Sequence, residues 1–112
     1  MRMWLINPKH LCSRHLLGEH YEIHKFKHSF EKKHNMSKRI QLGQIKPSMM
    51  QKRHDELAVE MTLRGMNHQS PYTQPDTSYI TEQEKSLKDL IAMNLQELSH
   101  RCLECAKIIK GE

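Results

Sequence analysis

Apolar positions along this chain recur at helical rather than strand spacing. Between Leu11 and about Lys33, Leu16, Ile23, Phe26 and Phe30 fall on one helical face. The only weak helix former among them is Gly18, which a helix tolerates. A second stripe, Met50, Leu57 and Met61 with Val59 beside it, follows Pro47 and Ser48, which can open a helix, and precedes Gly65, a C-capping residue. Thr81 followed by Glu84 has capping-box spacing. It starts a third predicted helix through Leu87, Leu90, Ile91, Leu95 and Leu98, continuing directly or after a bend to about Lys110. Residues 3–6 are apolar and run into Pro8 as an extended or turn-like entry, while 35–46 and 66–80 read as loops. No repeat and no convincing strand interrupts this pattern. The expected fold is all-α, with about three main helices in a single compact domain over residues 1–112 and an extended N-terminal segment.

Composition narrows the partner. Eighteen Lys and Arg against thirteen Asp and Glu give a net charge of +5, and nine histidines add a titratable reserve. A phosphate-rich partner fits that balance. An aromatic content of 5% disfavours a platform that stacks single-stranded bases. No segment approaches the roughly 18 apolar residues of a membrane span. The opening Met-Arg-Met-Trp-Leu-Ile is too short for a signal peptide and is expected to stay on the protein. Three cysteines, an odd number, suit a reducing cytoplasm better than a disulfide framework.

Two groups of residues carry candidate chemistry. Cys12, His15, Glu19 and Glu22 are spaced by three, four and three, so they line one helix face, extended by Lys25. The default for such a charged face is a solvated surface. The chain terminus adds a second element. An α-amine has a pKa of about 7.7–8.0 against about 10.4 for lysine, so near neutrality it is a far better nucleophile without burial. Arg2 is too bulky for methionine removal to be expected, which leaves that amine on Met1. Near the other end, Cys102-Leu-Glu-Cys105 with His100 has zinc-ligand spacing but supplies too few ligands alone. Cys12 or another histidine completes the set only if the fold brings it close; otherwise the two cysteines are small core residues. His20, His24, His28 and His34 form a ladder about one turn apart, expected on a solvated side or one facing the phosphate-rich partner.

Three segments in order, His15-Leu-Leu-Gly-Glu19-His-Tyr-Glu22-Ile, Lys38-Arg39-Ile40 and Lys52-Arg53-His-Asp-Glu56-Leu-Ala-Val-Glu60-Met-Thr-Leu-Arg64-Gly65-Met-Asn67, resemble the phage pyrimidine-dimer DNA glycosylases of the endonuclease V type. The opening Met-Arg-Met-Trp-Leu-Ile-Asn-Pro-Lys resembles shorter members, and the likeness covers about residues 1–70, leaving 76–112 as a C-terminal helical segment. The resemblance implies an all-helical glycosylase with abasic-site lyase activity on damaged, ultraviolet-type double-stranded DNA. It places Met1 where the family has its nucleophilic terminal amine, and Glu22 at the catalytic glutamate. Arg2 and Lys25 match cationic DNA-holding positions, with His15 and Glu19 on the same face. Arg39 and Lys46 add phosphate-neutralising charge by their position in the chain. Tyr21 replaces a DNA-contacting arginine. The implied chemistry needs no cofactor and no protein partner, and a cytoplasmic setting in a bacterium or phage-infected cell follows. The competing reading is a non-catalytic helical DNA-binding or zinc-stabilised interaction protein.

Overall fold

The computed structural model describes residues 2–67 and 71–111. Its α-helices are α1 (Ser13–Glu31), α2 (Ser37–Gln41), α3 (Met50–Leu63), α4 (Leu87–Arg101) and α5 (Leu103–Ile109). Single 3-10 turns at Pro8–His10 and Pro47–Met49 precede α1 and α3, and no strand occurs among the described residues. The protein is all-helical. Its Cα radius of gyration of 13.9 Å is close to the roughly 13 Å expected for a compact chain of this length. No described helix is long and apolar enough to cross a membrane.

The buried face of α1 is the one its pattern predicts, with Leu16, Ile23, Phe26 and Phe30 all in the core. It packs against α3, whose buried positions are Met50, Leu57 and Met61. Val59 is 61% exposed. Two residues on from Leu57, it is turned about 200° around the axis, away from α1. Gly65 ends α3 as expected, at φ +81°. The Met66 amide returns to the Met61 carbonyl and the Gly65 amide to that of Thr62, the paired bonds of a Schellman cap.

Two element boundaries differ from the sequence pattern. Residues 35–46 are not wholly a loop, because Ser37–Gln41 closes a short helix that buries Ile40. The expected capping box at Thr81 and Glu84 does not form. Glu84 is taken by a distant partner: its carboxylate accepts from the Ser48 amide at 2.8 Å and hydroxyl at 2.6 Å, and pairs with Lys46 at 3.1 Å. The helix starts six residues after Thr81, where Ser86 caps α4 by accepting from the Asp89 amide. At the other end the chain does bend. Cys102 adopts an extended backbone (φ −131°, ψ 111°) between α4 and α5, and its sulfur accepts from the Cys105 amide.

Residues 2–11 are threaded among these helices, and buried side chains hold their backbone carbonyls. Arg53 donates to the Ile6 carbonyl at 2.6 Å, and Asn94 Nδ2 to those of Trp4 at 2.8 Å and Met3 at 3.3 Å. Arg64 holds the Leu11 and Pro8 carbonyls at 2.7 and 3.2 Å, and the Met3 amide donates to the Gln44 carbonyl at 2.8 Å. Core residues Met3, Trp4, Leu5 and Ile6 add apolar burial, so the path of the N-terminal segment is fixed from both faces. Met1 itself lies outside the described residues.

Candidate active site

That fixed path brings Arg2 to a cleft of about 220 Å³ whose floor is the first three turns of α1. Trp4 and Arg2 form one wall, His15, Gly18, Glu19 and Glu22 come from α1 together with Arg14, and Arg101 closes the end from the last turn of α4. Arg2 is steered by its neighbours: Nη1 donates to Asn94 Oδ1 at 3.3 Å and the guanidinium lies 5.1 Å from the Trp4 ring centroid.

The charges in this cleft are unequal in availability. Glu19 is spent on Arg53, which grips it with Nε at 2.6 Å and Nη2 at 2.9 Å, both side chains being fully buried. The expected solvated polar face of α1 is therefore a buried one, and Glu19 is structural. Glu22 is also buried, yet among the described residues nothing hydrogen-bonds its Oε1. Lys25, one turn on, approaches it only to 4.0 Å. Leaving a buried acceptor without a donor is costly. Three arginines, Arg2, Arg14 and Arg101, line the same cleft. Burial lowers the Arg2 pKa, the Arg101 charge lowers it further and Glu97 opposes both, but guanidinium stays charged at any physiological pH. Burial, then the nearby Arg14, lowers the His15 pKa while Glu104 opposes, which favours the neutral imidazole.

The other predicted cations lie elsewhere. Lys25 sits 5.5 Å from the Tyr21 ring on the exposed side of α1. Arg39 stacks 5.8 Å from the Phe26 ring, and Lys46 is held by Glu84 and the Lys85 carbonyl. Neither Arg39 nor Lys46 lines the cleft. Arg14 and Arg101 do, and sequence reasoning missed both. Arg14 immediately precedes a motif residue and was within reach of inspection; Arg101 becomes relevant only through the packing of α4.

Among the described residues, two groups of donor side chains could each hold a metal ion. In the first, one ligand atom from each of Cys12, His15, Cys102 and Cys105 lies within 4.8 Å of every other. His100, proposed from its spacing to the cysteine pair, is exposed on the last turn of α4 and is not among these converging donors. The second group is His20, His24 and His54. The ladder expected on a solvated side is thus divided: His28 and His34 are exposed, but His20 is buried and His24 half-buried. His20 Nε2 meets His54 Nε2 at 3.1 Å, and Tyr72 stacks on His54 with centroids 4.7 Å apart.

A family model for pyrimidine dimer DNA glycosylase matches residues 1–74. The chain belongs to that family. Comparison with curated proteins and with solved structures found no match. The glycosylase match takes in the whole N-terminal segment, α1 and α3, and hence Arg2, His15 and Glu22. Beyond it lie α4 and α5, which bring Arg101 to the same cleft, Asn94 to Arg2 and the cysteine pair to Cys12 and His15.

Proposed function

We propose that this glycosylase acts on damaged double-stranded DNA, of the ultraviolet pyrimidine-dimer kind, and cleaves the abasic product through a Schiff base on its own terminal amine. One observation carries the reading: Glu22, with a buried oxygen that nothing bonds, shares a cleft with Arg2, the residue covalently joined to Met1.

The Met1 nitrogen lone pair attacks C1′ of the damaged nucleotide, and the C1′–N glycosidic bond breaks with its electrons leaving on the base, which is then protonated. Ring opening gives a protonated imine. That cation acidifies the C2′ proton; its removal expels the 3′ phosphate by β-elimination, and water hydrolyses the imine to release the amine. Glu22, poised to face the developing positive charge, stabilises the cationic sugar and imine and relays protons. Nothing in this sequence routes through a metal. Arg2, Arg14, Lys25 and Arg101 neutralise the flanking phosphates, giving binding that weakens with salt and ignores sequence. Exposing C1′ requires kinking or flipping, which is least costly where a lesion has weakened pairing. Lys46, its charge satisfied by Glu84, serves the fold.

Glu22→Gln tests the assignment. Strand cleavage of lesion-containing duplex should fall by a factor of about 100 or more, with DNA affinity nearly unchanged. Cleavage at the unaltered rate contradicts the role given to Glu22.

A further inference from the structure

We infer that Cys12, His15, Cys102 and Cys105 form a structural zinc site that rivets the C-terminal helices to the catalytic helix. This goes beyond the glycosylase reading and does not depend on it.

The donor set is three thiols and one imidazole, converging from two segments about ninety residues apart. Cys12 Sγ lies 3.2 Å from His15 Nδ1 and 3.9 Å from Cys102 Sγ, and Cys105 Sγ lies 3.7 Å from His15 Nδ1. Tetrahedral zinc, with bonds of about 2.3 Å to sulfur and about 2.0 Å to nitrogen, needs edges of roughly 3.8 Å between sulfurs and roughly 3.5 Å between sulfur and nitrogen. The two sulfur–nitrogen edges straddle their value, the Cys12–Cys102 edge lies close to the sulfur–sulfur one, and all ligand atoms lie within 4.8 Å of one another. A buried cluster of three free thiols otherwise has little reason to place its polar atoms face to face.

The backbone is arranged to the same end. Cys12 caps α1 and His15 follows three residues later; Cys102 caps α5 and Cys105 follows three residues later. Each pair uses one first helical turn to point two ligands the same way. The Cys12 amide donates to Cys105 Sγ at 3.2 Å and the Cys105 amide to Cys102 Sγ at 3.4 Å. Such N–H bonds favour thiolate sulfur. The extended Cys102 that breaks α4 from α5 is then explained, since a continuous helix would carry its sulfur past the cluster. Binding releases the three thiol protons and leaves the imidazole neutral, coordinating through Nδ1. Because Arg101 precedes Cys102 and His15 lines the same cleft, the metal site fixes one end of the cleft.

The test is metal analysis of the full chain purified without chelator, with zinc as the probe. About one zinc per chain is expected, and cobalt exchanged for it should show the visible bands and thiolate charge transfer of a tetrahedral sulfur-rich site. Cys105→Ser should lose most of the zinc. His15→Cys, which keeps four ligands, should retain it, as should His100→Ala. Absence of zinc from a folded full chain after incubation with it, or a disulfide among these cysteines in that chain, overturns the inference. So does zinc retained by folded Cys105→Ser but lost on His54→Gln, which would put the ion at the histidine trio.

Discussion

Arg53 and Glu19 form a bidentate ion pair, 2.6 and 2.9 Å, between α3 and α1 with neither side chain more than 1% exposed. The same guanidinium holds the Ile6 carbonyl, so one residue joins both helices and the N-terminal segment. Removing one partner strands the other charge. Arg53→Met should destabilise the protein by about 3–5 kcal/mol, read by urea denaturation at pH 7. The double variant Arg53→Met with Glu19→Gln should recover part of that loss, because no buried carboxylate is left unpaired. Equal losses in single and double variants would show that packing, not charge, sets the cost.

Asn94 belongs to α4, yet its side chain serves residues 2–4, donating to the Met3 and Trp4 carbonyls and accepting from Arg2. Asn94→Leu leaves those buried carbonyls unpaired, at a cost of about 1–3 kcal/mol. Catalysis should fall more than DNA affinity, since the segment carrying Arg2 is released while the basic surface stays. Parallel cleavage and binding assays separate the two.

Gly18 lines the cleft on α1, and a Cβ built there meets nothing within 4 Å. Gly18→Ala should therefore raise stability by about 0.5–1 kcal/mol, the usual helical gain. Gly18→Phe projects a ring into the same space and should suppress cleavage while the protein still folds. Thermal unfolding and an activity assay on both variants check this; an active Gly18→Phe would mean the substrate sits elsewhere.

Glu84 ties the approach to α4 to the turn before α3. Burial alone would raise its pKa, but donors from Ser48 and Lys46, together with the Lys46 charge, outweigh burial and hold it below the usual value of 4.5. A carboxylate depressed in the folded state stabilises above its unfolded pKa and loses that contribution as pH falls through its folded pKa. Partial exposure limits the effect to below about 1 kcal/mol. Glu84→Gln should thus be slightly less stable than the parent at pH 7, and the difference should close as the pH falls through the folded pKa, below the usual 4.5.

How much of this was legible in the sequence depends on whether the partner was local. The core stripe of α1 and the cap at Gly65 rest on neighbouring residues, and both stand in the structure. The Thr81–Glu84 box was a sound local motif that lost to a distant one, because Ser48 and Lys46 offer the Glu84 carboxylate more bonds than the Thr81 amide could. The helical pattern put Glu19 and Glu22 on one face but could not say that Arg53 would claim the first and leave the second open. His20 and His24 read as solvated for the same reason: His54 and Tyr72, which cover them, are 30 to 52 residues away. The cysteine pair announced itself by spacing, and the matching Cys12–His15 spacing was there to be paired with it. Only folding shows that the two meet.

Borohydride trapping on an abasic duplex, with mass spectrometry of the adduct, tests the terminal-amine mechanism most directly. A covalent protein–DNA adduct on the peptide that begins with Met1, lost when residues are added ahead of it, is the predicted result. An adduct mapped to a lysine, or no adduct from a chain that still cleaves the strand, would contradict it.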